Sequence, residues 1–150
     1  MDIAMLVRSA CAVAVLLPAG AVFAQQTGEE HDEFLRNFVV GTYAIVGRQP
    51  NGGAAYAGTA DIARRGDTLV LTRKVGGRTT VAEGGVERAA PPADRPRVFN
   101  FRWTTGRSRF RMSCLGRGDF DNYARLTCVW NEIDGRKEPG LEAFFHRAAD

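Results

Sequence analysis

Residues 97–131, RVFNFRWTTGRSRFRMSCLGRGDFDNYARLTCVWN, alternate apolar and polar side chains over most of their length. Near the start of this stretch every second residue is aromatic: Phe99, Phe101 and Trp103. Such alternation is typical of a β-strand with one buried face. The Thr105-Gly106 pair that follows predicts a two-residue hairpin turn. The stretch therefore predicts three consecutive antiparallel strands that share one apolar face.

A turn at Thr105-Gly106 predicts a register for the first two of these strands. Phe101 then lies opposite Phe110, and Phe99 lies opposite Met112, all on the apolar face. The same register groups four polar side chains on the outer face: Asn100, Arg102, Arg109 and Arg111. A slip of one residue would turn the apolar side chains outward, so the sorting supports this assignment.

Two cysteines lie in the second and third strands. If Cys114 faces Cys128, Met112 falls opposite Trp130, and the register that joins the cysteines also completes the apolar face. Gly116 then falls opposite Leu126. We therefore predict a Cys114–Cys128 disulfide, worth about 3 kcal/mol in the loop-entropy model.

The N-terminus has the features of an export signal. Arg8 supplies a positive charge, residues 10–17 form an apolar run, and Val22-Phe23-Ala24 is a small-residue cleavage site. We expect a signal peptide over residues 1–24. The exported protein would lie in the periplasm or outside the cell, where disulfides are favoured.

The remaining chain divides into two parts. Residues 25–38 form a polar segment with one or two helical turns from His31 to Phe38, where apolar residues recur at helical spacing. Residues 39–150 are expected to form a β-barrel domain. Before the central stretch we predict four strands: Val39–Gly47, Ala55–Arg64, Asp67–Val75 and Arg78–Arg88. A last strand follows it, Leu141–Arg147, with three residues expected inward: Leu141, Ala143 and Phe145.

Turn residues separate these strands. A turn at Arg65-Gly66 pairs Ile62 with Leu69, and Gly76-Gly77 makes the next turn. Val81 and Val86 would point to opposite faces of a regular fourth strand. A bulge near Gly84-Gly85 would bring both to the same face, so we predict a bulge there.

Eight short strands joined mostly by tight turns would leave two hydrophobic edges in an open sheet. Closing the last strand onto the first removes both edges. The sequence therefore predicts an all-β fold, an eight-stranded antiparallel up-and-down barrel with a short N-terminal helix. A two-sheet sandwich built from the same strands remains open as the alternative.

Gly41-Thr42-Tyr43, after a short helical turn, is similar to the Gly-x-Trp that opens lipocalins, with tyrosine in the aromatic position. Arg147, after the last strand, is similar to the arginine that covers this aromatic at the closed end. On these residues and on its architecture, the chain resembles the calycins, the lipocalin-like small secreted barrels. The resemblance implies a closed barrel.

The sequence contains few residues suited to catalysis. Candidate groups are Ser108, Ser113, His31 and His146, with His146 expected to point outward, and no Gly-x-Ser-x-Gly elbow occurs. Residues 119–122 resemble a calcium loop, but Trp130 stands where the bidentate acid would be. We therefore expect no enzyme activity, no cofactor and no metal.

The basic residues are scattered rather than massed, and the formal net charge is only +3. Nucleic acid is therefore not an expected partner. Two Arg-Gly-Asp triplets, at residues 65–67 and 117–119, fall where hairpins turn and are interpreted as turns.

The inward aromatic residues either fill a core or line a pocket. The residues expected to contact a ligand are Tyr43, Tyr56, Phe99, Phe101, Trp103, Phe110, Met112, Trp130 and Phe145. We expect an exported, non-catalytic β-barrel that binds a small apolar molecule. The alternative is a structural or protein-interaction module of the cell envelope, which would bind another envelope protein or an anionic surface through its arginines or turns. A hydrolase or isomerase with a site in the barrel mouth is a third alternative.

Overall fold

The computed structural model describes residues 20–88, 96–118, 124–135 and 138–147. Helix α1 spans Gly20–Phe38, and eight strands follow: β1 Gly41–Arg48, β2 Ala55–Arg65, β3 Thr68–Val75, β4 Arg78–Arg88, β5 Arg97–Thr105, β6 Ser108–Gly118, β7 Ala124–Glu132 and β8 Gly140–His146. Each strand pairs antiparallel with the next, and β8 pairs with β1. The predicted up-and-down barrel is confirmed, and the sandwich is excluded.

The β5–β6 register differs from the prediction. Phe101 pairs with Met112 rather than Phe110. The two loop residues are Gly106 and Arg107, and Gly106 has φ 60° at the first loop position. A positive φ there is the requirement of a type II′ turn, which glycine meets without strain. Because the partner moves by two residues, every side chain keeps its predicted face.

The β2–β3 hairpin has the same difference for the same reason. Ile62 pairs with Leu71 rather than Leu69, and the loop is Gly66-Asp67. Gly66 has φ 59° and again occupies the first loop position. The sequence therefore locates these turns to within one residue, and the backbone requirement of the turn fixes the rest.

The β6–β7 register is confirmed. Cys114 lies opposite Cys128, with a Cα–Cα distance of 4.0 Å, and the two form a disulfide. Met112 lies opposite Trp130, as the cysteine alignment requires. The disulfide therefore joins two neighbouring strands on the inner face of the barrel.

Strand β4 has no bulge where one was expected. Its pairing with β5 runs uninterrupted from Glu83 to Arg88, so the bulge predicted near Gly84-Gly85 is wrong. Val81 simply points outward and is 56% exposed. A Cβ atom at Gly84 would lie 1.7 Å from the carbonyl oxygen of Asn100, so only glycine fits this close approach of two strands.

The inward face of β8 is the reverse of the prediction. The expected inward residues lie on the outer face: Leu141, Ala143 and Phe145. Glu142 and Phe144 are buried instead. The Phe144 ring packs edge-on against Tyr43, and the Glu142 carboxylate pairs with the Arg73 guanidinium. A guanidinium inside a barrel must be paired with an acid, and this requirement outweighs the burial of two more apolar side chains.

Helix α1 is longer than predicted and covers one end of the barrel. It begins at Gly20, so the segment from residue 25 to 30 is helical. Leu35 and Phe38 pack against the core. Within the part of the chain that the structure describes, no helix is long and apolar enough to cross a membrane. Most of the predicted signal peptide, residues 1–19, lies outside the described residues, and its cleavage stays a prediction.

Two ion pairs hold α1 to the barrel. Arg64 Nη2 donates to Glu33 Oε2 at 2.9 Å, and Arg97 Nε donates to Asp32. Tyr43 Oη also donates to the carbonyl oxygen of Val39, at 2.7 Å. We call this end of the barrel the closed end. The opposite end, where the β1–β2, β3–β4, β5–β6 and β7–β8 connections meet, is the mouth.

Candidate functional site

The closed half of the barrel is packed. Its largest fully buried side chains include Tyr43, Phe99, Phe101, Met112 and Phe144. Burial raises the pKa of Tyr43, which keeps its hydroxyl protonated. Four of these five residues were expected to contact a ligand, but none of them lines the cavity at the mouth. They form the core of the protein.

The mouth contains a cavity of about 590 Å³. Three aromatic side chains form its wall: Trp103, Phe110 and Trp130. The Trp103 and Phe110 rings are stacked with centroids 5.2 Å apart, and the Trp130 ring is tilted, 6.1 Å from Trp103. Polar side chains, including Ser108, Asn131 and Glu132, share the lining. The cavity therefore offers an apolar wall with hydrogen-bonding groups around it, as small-molecule sites do.

A buried ion pair lies at the base of this cavity. Arg73 Nε donates to Glu142 Oε1 at 2.8 Å, and Arg73 Nη2 donates to Glu142 Oε2. The two side chains are 8% and 0% exposed. The Arg73 guanidinium also lies 5.7 Å from the ring centroids of Trp103 and Trp130. Two aromatic faces and a carboxylate thus stabilise the cation.

Tyr56 completes this polar group. Its hydroxyl donates to Glu142 and accepts from Trp130 Nε1 at 3.1 Å. Burial, together with the nearby Glu142 carboxylate, raises the pKa of Tyr56, so the hydroxyl stays protonated as a donor. The four residues come from β2, β3, β7 and β8, so the network connects separate parts of the wall. It fixes the position of the Trp130 indole.

Two glycines make room for these rings. A Cβ atom at Gly140 would lie 2.6 Å from Trp130 Nε1, and one at Gly47 would lie 2.5 Å from Tyr56 Cζ. Either contact is too short for a real side chain. The indole of Trp130 and the ring of Tyr56 therefore lie flat against glycine backbone on the neighbouring strands.

The sequence prediction identified part of this site. Trp103, Phe110 and Trp130 line the mouth cavity, and Tyr56 lies beside it. Phe145 does not belong to the site, because it is 41% exposed on the outer face. A ligand contact through Phe145 from inside the barrel is therefore excluded by its direction.

Sequence reasoning missed Arg73 and Glu142. Arg73 follows Leu69 and Leu71 at the inward parity of β3, so one charged residue stood in an apolar register. A charged residue at an inward position indicates that an acid lies at an inward position of another strand. Glu142 is that acid, and placing it inward would also have given the correct inward face of β8.

The candidate catalytic groups are not assembled into a site. Ser108 lines the mouth, whereas His146 lies at the closed end with its ring 5.2 Å from Tyr43, so its predicted outward direction is wrong. Ser113 Oγ donates to Asn100 on the outer face. Arg147 is exposed, and His146 is the side chain that packs on Tyr43.

No metal site is formed by the described residues, in which no group of three or more His, Cys, Asp or Glu side chains is placed to hold an ion. The calcium-like residues 119–122 lie in the gap between residues 118 and 124, outside the described part of the chain.

The chain matches no protein-family model, and no curated protein matches it. A similar solved structure is a de novo designed fluorescence-activating β-barrel, at 19% identity and a TM-score of 0.48, over 75% of this chain and 96% of that one. Similarity to the calycins therefore remains a resemblance in architecture and in a few residues.

Proposed function

We propose that this protein is an exported, non-catalytic barrel that binds a small apolar molecule at its mouth. The observation that supports the proposal most is the cavity of about 590 Å³ with Trp103, Phe110 and Trp130 on its wall. Aromatic walls of this kind contribute affinity by contact area rather than by many hydrogen bonds.

Pre-organisation supports the same proposal. Trp103 is held by its stack on Phe110, and Trp130 is held by its hydrogen bond to Tyr56 and by the Arg73 guanidinium. Rings that are already ordered lose little conformational entropy when a guest binds. The mouth is therefore suited to an apolar guest without a large rearrangement.

The separation of the candidate groups supports a role without catalysis. Ser108 lies at the mouth and His146 at the opposite end of the barrel, so these two cannot act as nucleophile and base. The variant His146→Ala should therefore leave binding by the folded protein unchanged, because His146 lies at the closed end.

The disulfide is compatible with export to an oxidising compartment. The intact mass of the exported protein should match a chain that starts at Gln25, less two hydrogens. Two free thiols in that protein would contradict the proposed location.

A neutral fluorescent probe, N-phenyl-1-naphthylamine, tests binding at the mouth. Wild-type protein should give a saturable rise in probe fluorescence, and Trp103→Ala should weaken binding about tenfold or more, which corresponds to ~1.4 kcal/mol of lost contact. Phe145→Ala is the matched control, because it removes an aromatic ring from the outer face.

The control should bind the probe as the wild type does. Absence of saturable binding to the wild type, or equal binding by all three proteins, would overturn the proposal.

A further inference from the structure

One charged residue in the lining of the mouth cavity is buried. Among the described residues, three polar or charged residues are buried: Arg73, Asn100 and Glu142. Of these three, only Arg73 lines the mouth cavity. Glu142 pairs with Arg73 but does not belong to the lining. A molecule in the cavity therefore meets the buried cation and not its acid partner.

The Glu142 carboxylate occupies one edge of the Arg73 guanidinium. Nε and Nη2 of Arg73 donate to its two oxygens, and Nη2 also lies 3.4 Å from Tyr56 Oη. The third nitrogen, Nη1, donates to no group among the described residues. Nη1 is also not one of their buried polar atoms that lack a partner, so it is open to the cavity. The two N–H bonds on Nη1 are thus available to a ligand.

These donors lie next to the aromatic wall. The central carbon of the Arg73 guanidinium is 5.7 Å from the ring centroids of Trp103 and Trp130. An oxygen that accepts from Nη1 would lie about 2.9 Å from that nitrogen, close to any ring that packs on the two indoles. One small molecule can therefore make both contacts, with its oxygen at the base of the cavity and its ring toward the mouth.

The remaining polar side chains of the lining are nearer to solvent. None of those described there is buried: Ser108, Asn131 and Glu132 are partly exposed, and Arg78 is exposed. A group that is already hydrated gains little from a ligand, whereas a buried donor needs an acceptor. Arg73 is therefore the polar residue of the cavity best suited to select a ligand.

The charges favour an uncharged acceptor at Arg73. Glu142 already balances the guanidinium. A carboxylate at Nη1 would be a second acid on the same buried cation, and no net positive charge would offset its loss of hydration. The other charged residues of the lining are Arg78 and Glu132, one of each sign. A carbonyl oxygen accepts from Nη1 at a much lower cost of desolvation.

We propose that the mouth binds an uncharged aromatic molecule that carries a carbonyl group. The ring packs against Trp103 and Trp130, and the carbonyl oxygen accepts from Arg73 Nη1. The proposal rests on the proposed function, because it names the class of molecule that the same cavity binds. Arg73 then selects for a hydrogen-bond acceptor, and Glu142 selects against acids.

Three naphthalene probes that differ in one substituent test the proposal: 2-acetylnaphthalene, 2-ethylnaphthalene and 2-naphthoate. In an NMR titration of the wild-type protein at pH 7, both neutral probes should shift the indole signals of Trp103 and Trp130. The Nε–H signal of Arg73 belongs to the same guanidinium as Nη1. It should shift with 2-acetylnaphthalene and much less with 2-ethylnaphthalene, which has the same shape but no acceptor.

The two neutral probes separate this proposal from the proposed function. If neither probe shifts the indole signals, the proposed function is wrong and the carbonyl contact is wrong with it. If both probes shift the indole signals but affect the Arg73 signal equally, the mouth binds apolar molecules without a carbonyl contact. That result would overturn this proposal alone.

The variant Glu142→Gln tests the selection against acids. It keeps the length of the side chain but removes the charge that balances Arg73. Wild-type protein should bind 2-acetylnaphthalene at least about tenfold more tightly than 2-naphthoate, and the variant should lower this ratio about tenfold or more. Because the ratio compares two probes on one protein, a general change in the cavity affects both probes alike.

Glu33→Gln is the matched control, since it also removes an acid paired with an arginine, Arg64, but at the closed end. It should keep the wild-type ratio. Wild-type protein that prefers 2-naphthoate would overturn the selection against acids, and so would an unchanged ratio in folded Glu142→Gln. The wild-type comparison gives this answer even where the variant does not fold.

Discussion

The two halves of the barrel interior share one sequence pattern but differ in what they enclose. Phe99 and Phe101 at the closed half are fully buried, whereas Trp103 and Phe110 at the mouth are only partly buried and border a cavity. All four come from the same alternation on two paired strands. The alternation of apolar and polar residues therefore identifies which side chains face inward, but it does not show how far those side chains fill the interior.

The difference arises from the residues that the other strands contribute. At the closed half, the facing strands supply Ile45, Ile62 and Leu71, which fill the interior. At the mouth, β3 supplies Arg73 and β8 supplies Glu142. A paired guanidinium cannot pack as densely as branched aliphatic side chains, because its donors need defined partners. The ion pair thus marks the level where the packed core ends and the cavity begins.

The largest effect is expected from truncation in the packed half. Phe101→Ala should cost about 3–5 kcal/mol of unfolding free energy, because it removes a fully buried ring and leaves a cavity. Trp103→Ala should cost clearly less, because its ring already borders a cavity. Urea unfolding of both variants measures the two losses of unfolding free energy. Equal losses of unfolding free energy would show that the mouth is as tightly packed as the closed half.

Breaking the ion pair should cost about 3 kcal/mol. Glu142→Ala leaves the Arg73 guanidinium buried without its carboxylate, and such unpaired charges are strongly destabilising. The double variant Arg73→Met with Glu142→Leu is the control, because it removes both charges and should recover most of the stability. A double variant as unstable as Glu142→Ala would mean that packing volume, rather than the unpaired charge, causes the loss.

Removal of the Tyr56 hydroxyl should have an intermediate effect. Tyr56→Phe takes a donor from Glu142 and an acceptor from Trp130 Nε1, at a cost of about 1–2 kcal/mol. Because Trp130 loses its anchor, probe binding should weaken as well. A variant with unchanged binding and stability would show that the network does not position the indole.

The smallest effect concerns the helix at the closed end and depends on pH. The hydrogen bond from Arg64 holds the pKa of Glu33 below its usual value of 4.5. Because the folded-state pKa is the lower one, this contribution is fully present above pH 4.5 and is lost as the pH falls through the lowered pKa. The protection of α1 amides against hydrogen exchange, relative to the intrinsic rate at each pH, should therefore fall in acid before the protection of the barrel strands does. Glu33→Gln should remove that acid-dependent step, and a step that persists in this variant would assign it to another group.

The sequence predicted the faces of β5, β6 and β7 correctly, because alternation and the cysteine pair impose the same register on β6 and β7. It placed two hairpin turns one residue too early, because the choice between Thr105-Gly106 and Gly106-Arg107 depends on where the backbone needs a positive φ. That requirement belongs to the folded turn rather than to the residue pattern.

The Arg73–Glu142 ion pair was not predicted from the alternation of residues, for a different reason. Arg73 and Glu142 are 69 residues apart, and β8 carries apolar side chains on both faces. The sequence of β8 allows two sets of inward residues, either the set with Leu141 and Phe145 or the set with Glu142 and Phe144. Only the contact of Glu142 with Arg73 across the barrel distinguishes them. The same contact places Leu141 and Phe145 on the outer face of the barrel.

The most direct test of binding at the mouth is a two-dimensional ¹H–¹⁵N NMR titration with N-phenyl-1-naphthylamine. The chain contains only two tryptophans, so the indole signals of Trp103 and Trp130 report on the mouth without ambiguity. We expect both indole signals to shift in proportion to bound probe, while the amide signals of Leu115 and Phe145 on the outer face of the barrel stay in place. Shifts at Leu115 and Phe145 with unmoved indole signals would contradict the account.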